Sequence, residues 1–221
     1  MKLIKETSIL LDEAVNEKMI RTSPHMSLNA YSLIVYGGIN KITDRAFEEF
    51  VDRLWETFQS GDTVFTMGNG GSGATASHFV CDLNKGVFLG SDNLAREGWS
   101  RRFKALCLND NVPTLTAYAN DACYENIFVE PLKNFLTPGY DRNVVIGISG
   151  SGNSKNVLKA IDWANLMGAY TVGLCGFGGG ELAKKAKLVL CAPLGVMQQV
   201  EDAHSIILHA ASLALRKRLD E

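Results

Sequence analysis

Between Thr43 and Phe58 the apolar residues Ala46, Phe47, Phe50, Val51, Leu54, Trp55 and Phe58 recur at helical spacing, which marks one buried helix face. Thr43 is placed to cap this helix and Gly61 to stop it. Residues 1 to about 60 read as helical throughout. From Asp62 the pattern changes. Short continuous apolar runs predict strands at 63–67, 104–108, 142–148, 170–174 and 187–191. Helical patterns between them predict helices at 73–84, 112–118, 122–136, 154–167, 180–186 and about 200–218. Apolar strands that alternate with helices form a parallel sheet covered on both faces. The expected architecture is one α/β domain over 1–221, with an N-terminal helical arm at 1–61 and an α/β core at 62–221. The apolar stripe of the arm can pack on its own domain or on a second subunit, and the sequence leaves both open.

Composition narrows the function classes. The chain has 221 residues, 46% hydrophobic and 21% charged, with a net charge of -2. No basic excess points to nucleic acid or an anionic membrane. The amphipathic start, Met1-Lys2-Leu3-Ile4-Lys5-Glu6, is not the pattern of a signal peptide. No apolar run approaches the ~20 residues of a spanning helix. The five cysteines, Cys81, Cys107, Cys123, Cys175 and Cys191, are scattered without a CxxC pair. They read as reduced packing residues of a cytoplasmic protein.

Two serine–glycine turns carry the chemistry. Gly68-Asn69-Gly70-Gly71-Ser72-Gly73 and Ser149-Gly150-Ser151-Gly152-Asn153-Ser154 each follow a predicted strand and open a predicted helix. Glycine lets backbone N–H groups approach closely, serine hydroxyls donate hydrogen bonds, and a helix N-terminus carries partial positive charge. One serine at a helix start is a cap. Serines alternating with glycine in two such turns exceed what capping requires and point to a phosphate.

His78 and Asp82 stand at i and i+4 on the helix after the first turn, which places them on one face ~6 Å apart. Such a pair can hold a metal, share a proton or form an ordinary helical contact. Glu201 and His209 stand at i and i+8, separated by ~12 Å along a straight helix. Zinc ligands lie ~2.0–2.2 Å from the ion. Either the helix begins after Glu201, or different subunits supply the two residues. His204 lies roughly 140° around that helix from His209 and is expected to serve a structural contact or a neighbouring site.

The order Gly68-Asn69-Gly70-Gly71-Ser72, Ala76-Ser77-His78-Phe79, Asn120-Asp121, Ile148 through Ser154, then Glu201-Asp202-Ala203-His204 and His209 resembles the sugar isomerase (SIS) domain. Within that family it is most similar to the bacterial phosphoheptose isomerases. The resemblance implies a flavodoxin-like three-layer fold with a five-stranded parallel sheet. It implies a homotetramer with sites between subunits, and interconversion of sedoheptulose 7-phosphate with D-glycero-D-manno-heptose 7-phosphate. By the same resemblance Asn69, Gly70, Ser72, Asp121, Ser149, Gly150, Ser151 and Ser154 bind the substrate. His78, Asp82, Glu201 and His209 would hold a zinc ion, with Asp82 the base and His209 the acid of an enediol proton transfer. Two other readings stay open: a non-catalytic sugar-phosphate-binding regulator, and an isomerase of another phosphosugar.

The chain departs from the family pattern at several positions. Asp82 stands where Glu is usual, Glu201 where Gln is usual, Gly150 where Thr is usual and Gln198 where Asp is usual. The family's arginine after the histidine helix is replaced by Asn84-Lys85-Gly86. The loop 86–103, with Arg96, Arg101 and Arg102, is either a solvated loop or a substitute for that arginine.

Overall fold

The computed structural model describes residues 27–88, 102–136, 138–139 and 142–220. The arm over 1–26 and the expectations for Arg96 and Arg101 lie outside these residues. Helix α1 spans Leu28–Ile39 and α2 spans Asp44–Ser60. The Thr43 hydroxyl accepts from the Ala46 N–H, and Gly61 ends α2 in the left-handed region at φ 75°. Both ends follow the sequence reading. The core then runs β1 (Thr63–Gly68), α3 (Gly71–Asn84), β2 (Lys104–Cys107), α4 (Val112–Asp121), α5 (Val129–Lys133) and β3 (Val144–Ser149). It continues with α6 (Lys155–Leu166), β4 (Tyr170–Cys175), α7 (Leu182–Lys185), β5 (Leu188–Cys191) and α8 (Met197–Asp220).

The five strands form one parallel sheet in the order β2-β1-β3-β4-β5. Successive strand residues face opposite sides, and the core splits accordingly. On one face Val64, Ile146, Ile148, Val172 and Leu174 pack with Phe50, Leu54 and Phe58 of α2, Phe79 and Leu83 of α3, and Leu208 and Leu215 of α8. On the other, Phe65, Met67 and Val145 pack with Leu132 of α5, Val157 and Ile161 of α6, and Leu182 of α7. This is the expected three-layer α/β architecture. Helix α2 buries its stripe on its own sheet, while α1 packs Val35 against Leu194, Val200 and Ala203 beside α8.

The helix expected over 122–136 is not continuous. A single 3₁₀ turn at Tyr124–Asn126 precedes the short α5. Pro131 has no N–H to bond back to Ile127, and its ring crowds that carbonyl, so the helix can only restart. The run Gly178-Gly179-Gly180, with Gly179 and Gly180 at positive φ, likewise delays α7 to Leu182.

Candidate active site

The strand order reverses at β1 and β3, because β2 lies to one side of β1 and β4 to the other side of β3. Connections leaving such a pair of strands diverge and open a crevice at their C-terminal ends. The two serine–glycine turns occupy these two positions. Gly70 adopts φ 55° as the N-cap of α3, and Gly152 adopts φ 68° in the second turn. A Cβ on Gly152 would lie 2.0 Å from the Gly179 carbonyl oxygen. Only glycine fits there, because both the dihedral and the close backbone approach exclude a side chain.

Helices α1, α2 and α4 are capped by side chains of Ser27, Thr43 and Asn111. Helices α3 and α6, which start at the two turns, have no side-chain cap hydrogen bond. Ser154 is the N-cap of α6, yet its hydroxyl instead accepts from Ser149 Oγ at 3.0 Å. Ser151 Oγ accepts from the Asn153 N–H at 3.2 Å, while Ser72 and Ser149 are buried. The turn serines are therefore not consumed by capping.

An amide pair, Asn156 buried and Asn69 half-buried, joins the first turn to the start of α6. Asn69 Nδ2 donates to Asn156 Oδ1 at 2.9 Å, and Asn156 Nδ2 donates to Asn69 Oδ1 at 2.8 Å. The Tyr124 hydroxyl adds a third bond to Asn69 Oδ1 at 2.9 Å. Asp121, the last residue of α4, is exposed three residues before Tyr124 and accepts from Asn120 Nδ2 at 2.8 Å. Asn109 braces β1 from below: its Nδ2 donates to the Gly68 carbonyl at 2.8 Å and its Oδ1 accepts the Gly68 N–H at 3.2 Å. Asn156, Tyr124 and Asn109 were not identified from the sequence. The only signal for Asn156 was its place two residues after Ser154, in the first turn of α6.

Gly150 supports α8. A Cβ there would lie 2.4 Å from Met197 Sδ. The space that the family's usual threonine would need is filled by Met197.

The acid–base cluster sits farther along the same helices. Asp82 Oδ1 lies 3.7 Å from His78 Nε2, and Asp82 Oδ2 lies 3.7 Å from His209 Nε2. The two imidazoles meet edge to face with centroids 4.9 Å apart. Asp82 is half-buried, whereas both histidines are exposed. One ligand atom from each of the three lies within 4.8 Å of the others. A tetrahedral zinc with ligands at ~2.1 Å would set them ~3.4 Å apart, a contraction of the spacing present that side-chain rotation on α3 and α8 supplies. Two imidazoles and a carboxylate also suit that ion, so the residues fit a metal.

Glu201 does not join them within one chain. Helix α8 begins at Met197, ahead of Glu201, which removes the alternative of a helix starting later. A Cβ on Gly71 would lie 2.5 Å from Glu201 Oε1, so this carboxylate rests on the first turn of α3, where the helix end favours negative charge. With Gly71 level with Glu201 and Asp82 level with His209, α3 and α8 run side by side in the same direction.

His204 is fully buried and neither ring nitrogen has a hydrogen-bond partner. Burial pushes its pKa down to about 4, with the Cys175 backbone acting in the opposite sense. It faces the interior of the fold, away from His78, Asp82 and His209. Arg102 lies with its guanidinium 4.4 Å from the Phe88 ring centroid.

Two serine–glycine turns at a switch point of a parallel sheet, with an imidazole–carboxylate cluster farther along α3 and α8, fit the SIS class of α/β domain. The SIS domain model matches residues 37–176, and the chain belongs to that family. Among curated proteins it is similar to the phosphoheptose isomerase of Geotalea daltonii, 36% identical over 169 residues, 76% of this chain and 82% of that one. It is similar to the Helicobacter pylori phosphoheptose isomerase at 35% over 164 residues, 74% of this chain and 79% of that one. The fold matches a phosphoheptose isomerase structure from Neisseria gonorrhoeae, TM-score 0.69 at 21% identity, covering 96% of this chain and 98% of that one. A Francisella tularensis phosphoheptose isomerase matches with TM-score 0.70 at 20% identity, covering 98% and 99%.

Proposed function

We propose that this protein is an aldose–ketose isomerase that interconverts sedoheptulose 7-phosphate and D-glycero-D-manno-heptose 7-phosphate. The observation that carries the reading is Asp82 set between His78 and His209, 3.7 Å from each, on helices that start at or beside the serine turns. The names of the relatives supply the sugar. Ser72, Ser149, Ser151 and Ser154 bind the phosphate, with Asn69, Gly70, Gly150 and Asp121 lining the sugar.

In the aldose-to-ketose direction the Asp82 carboxylate removes the C2 proton, and the electron pair passes into an enediol. His209 donates a proton at the carbonyl oxygen of C1 and accepts one from the hydroxyl at C2. Asp82 then returns its proton to C1, leaving the carbonyl at C2. His78, Asp82 and His209 would hold a zinc ion, with Glu201 of another subunit the fourth ligand in the family pattern; to act as the base, Asp82 would be free of the ion or leave it during turnover. When bound, the ion supplies polarisation of the carbonyl.

We also place the working site between subunits, in a homotetramer. Asp82 lies eleven residues beyond Gly71, about 16 Å along α3, so one chain holds its own turn and cluster far apart. The exposed apolar residues Leu28, Tyr36, Ile206 and Leu213 mark surface a second copy would cover. A groove of about 460 Å³ lined by Ile39, Ile42, Phe47, Ile206, Ile207 and Ala210 lies beside Ile206.

The test is a phosphosugar panel followed by NMR in heavy water, with and without chelator. The expected result is aldose–ketose exchange of the seven-carbon phosphate with deuterium entering at C1 and C2. Binding without exchange of any sugar in the panel would replace this reading with that of a sensor.

A further inference from the structure

Cys175 closes β4 and Cys191 closes β5, and the two are register partners across the parallel ladder. Register partners project to the same face of a sheet, and both thiols belong to the cluster beneath α6 and α7. Their sulfurs converge on one point: a Cβ placed on Gly179 would lie 3.8 Å from Cys175 Sγ and 3.9 Å from Cys191 Sγ. Both cysteines are free. Neighbouring strands lie about 4.8 Å apart, inside the roughly 4.4–6.8 Å Cα separation that a disulfide spans. Closure therefore needs side-chain rotation and little backbone movement. Strand β5 is an edge strand, so its end can shift without disturbing a second ladder.

The two thiols are unequal. The nearby Cys175 thiol holds Cys191 below the usual thiol range, and the same neighbour together with burial pushes Cys175 up; Cys191 Sγ also lies 3.9 Å from the Gly176 carbonyl. Cys191 is half-buried while Cys175 is fully buried. The more acidic sulfur is thus the one nearer solvent, the arrangement of an attacking thiolate with a resolving partner.

We propose that Cys175 and Cys191 are a redox-active pair that closes to a reversible disulfide when a hydroperoxide reaches Cys191. The Cys191 thiolate attacks the terminal peroxide oxygen. The O–O bond breaks, Cys191 becomes a sulfenic acid, and the departing alkoxide or hydroxide takes a proton from water. The Cys175 sulfur then attacks the Cys191 sulfur. The S–O bond breaks, and the hydroxide leaves as water with the Cys175 proton. The two sulfurs together lose two electrons to the peroxide.

The bond would form directly under the second serine–glycine turn. The Gly176 N–H, next to Cys175, donates to the Gly150 carbonyl at 2.8 Å, and the Ala192 N–H, next to Cys191, donates to the Cys175 carbonyl at 3.0 Å. Phe177 follows at φ 49°, a conformation that a bulky residue adopts only under constraint. A cross-link here would fix the segment that seats Gly150.

The test is native oxidation by hydrogen peroxide, followed by intact mass and proteolytic mapping. It does not depend on any enzymatic activity. The expected result is a loss of about 2 Da, from one cross-linked peptide pair containing Cys175 and Cys191, reversed by dithiothreitol. The cross-link should persist in a Cys81→Ser, Cys123→Ser double variant and be absent from Cys191→Ser. Gain of oxygen at Cys191 without a cross-link would overturn the proposal, as would oxidation confined to the exposed Cys81 and Cys123. Mapping of the unaltered chain decides the matter even where a serine variant fails to fold.

Discussion

Asn69 and Asn156 exchange two side-chain hydrogen bonds, 2.9 and 2.8 Å long, and so lock the turn after β1 to the first turn of α6. Asn156 is almost wholly buried. Replacing it with Leu removes the acceptor of Asn69 Nδ2, while Tyr124 still bonds Asn69 Oδ1; for this half-buried donor the loss is about 1 kcal/mol, the low end of the range for unpaired polar groups. Asn156→Leu should lower unfolding stability by that amount and weaken phosphosugar binding. Denaturant titration and calorimetric binding check it; unchanged values in both would show that the pair does not hold the turns.

The serines of the second turn should carry the phosphate. Ser151→Ala and Ser154→Ala should each weaken substrate binding by roughly 0.5–3 kcal/mol, the range for a hydrogen bond up to a charge-assisted one. A double variant with full affinity would remove the turn from the binding site.

Two glycines in this turn should behave differently. A Cβ at Gly150 overlaps the flexible end of Met197, which is partly exposed and can swing away, and meets Val200 Cγ1 at an ordinary contact distance of 3.5 Å. A Cβ at Gly152 meets the Gly179 backbone at a positive φ. Gly150→Ala should cost less than about 1 kcal/mol, and Gly152→Ala at least about 2 kcal/mol. Equal losses in thermal or urea unfolding would contradict this picture.

Asp82→Asn should abolish exchange of the substrate C1 and C2 protons with heavy water while leaving folding and phosphosugar binding intact. His209→Gln should lower turnover steeply. Exchange in Asp82→Asn as fast as in the parent would mean that another group is the base.

His204 should make the fold acid-sensitive. Its pKa is about 4 in the folded state against 6.5 for the free side chain. Above pH 6.5 neither state is protonated and the residue adds no pH dependence. Between 6.5 and 4 the unfolded chain takes up the proton and the folded chain does not, so stability falls with pH by roughly 3 kcal/mol in all. A His204→Leu variant should lose that part of the slope in urea titrations across this range; an unchanged slope would assign the acid sensitivity to other groups.

The architecture was legible because its signals are local. The alternation of apolar strands and helices, the cap at Thr43 and the stop at Gly61 each need only a few neighbouring residues. Pro131 was equally local, but its interruption of the predicted 122–136 helix was not read. The candidate site was legible only in part. His78 and Asp82 share one helix, so their spacing set them on one face without saying which contact they make, and the distance between Glu201 and His209 already showed that one straight helix does not easily bring both to one ion. Asn156 and Tyr124 meet Asn69 only through the strand order, which no short stretch encodes. Cys175 and Cys191 lie sixteen positions apart, and nothing in the chain between them announces that two strand ends are in register. They read as packing residues until the sheet was assembled.

Helix α8 runs without interruption over its 24 residues and carries both the carboxylate at Gly71 and the imidazole at Asp82. Its length between these points is fixed by its neighbour. Inserting or deleting one residue between Glu201 and His209 would swing His209 through about 100° and shift it by about 1.5 Å, carrying the ring off Asp82 altogether. No loop intervenes to absorb the change. This stretch of the chain can vary by substitution at its outward positions, but a change of length within it would disconnect the acid–base pair and at the same time turn Leu208 and Leu215 away from the sheet.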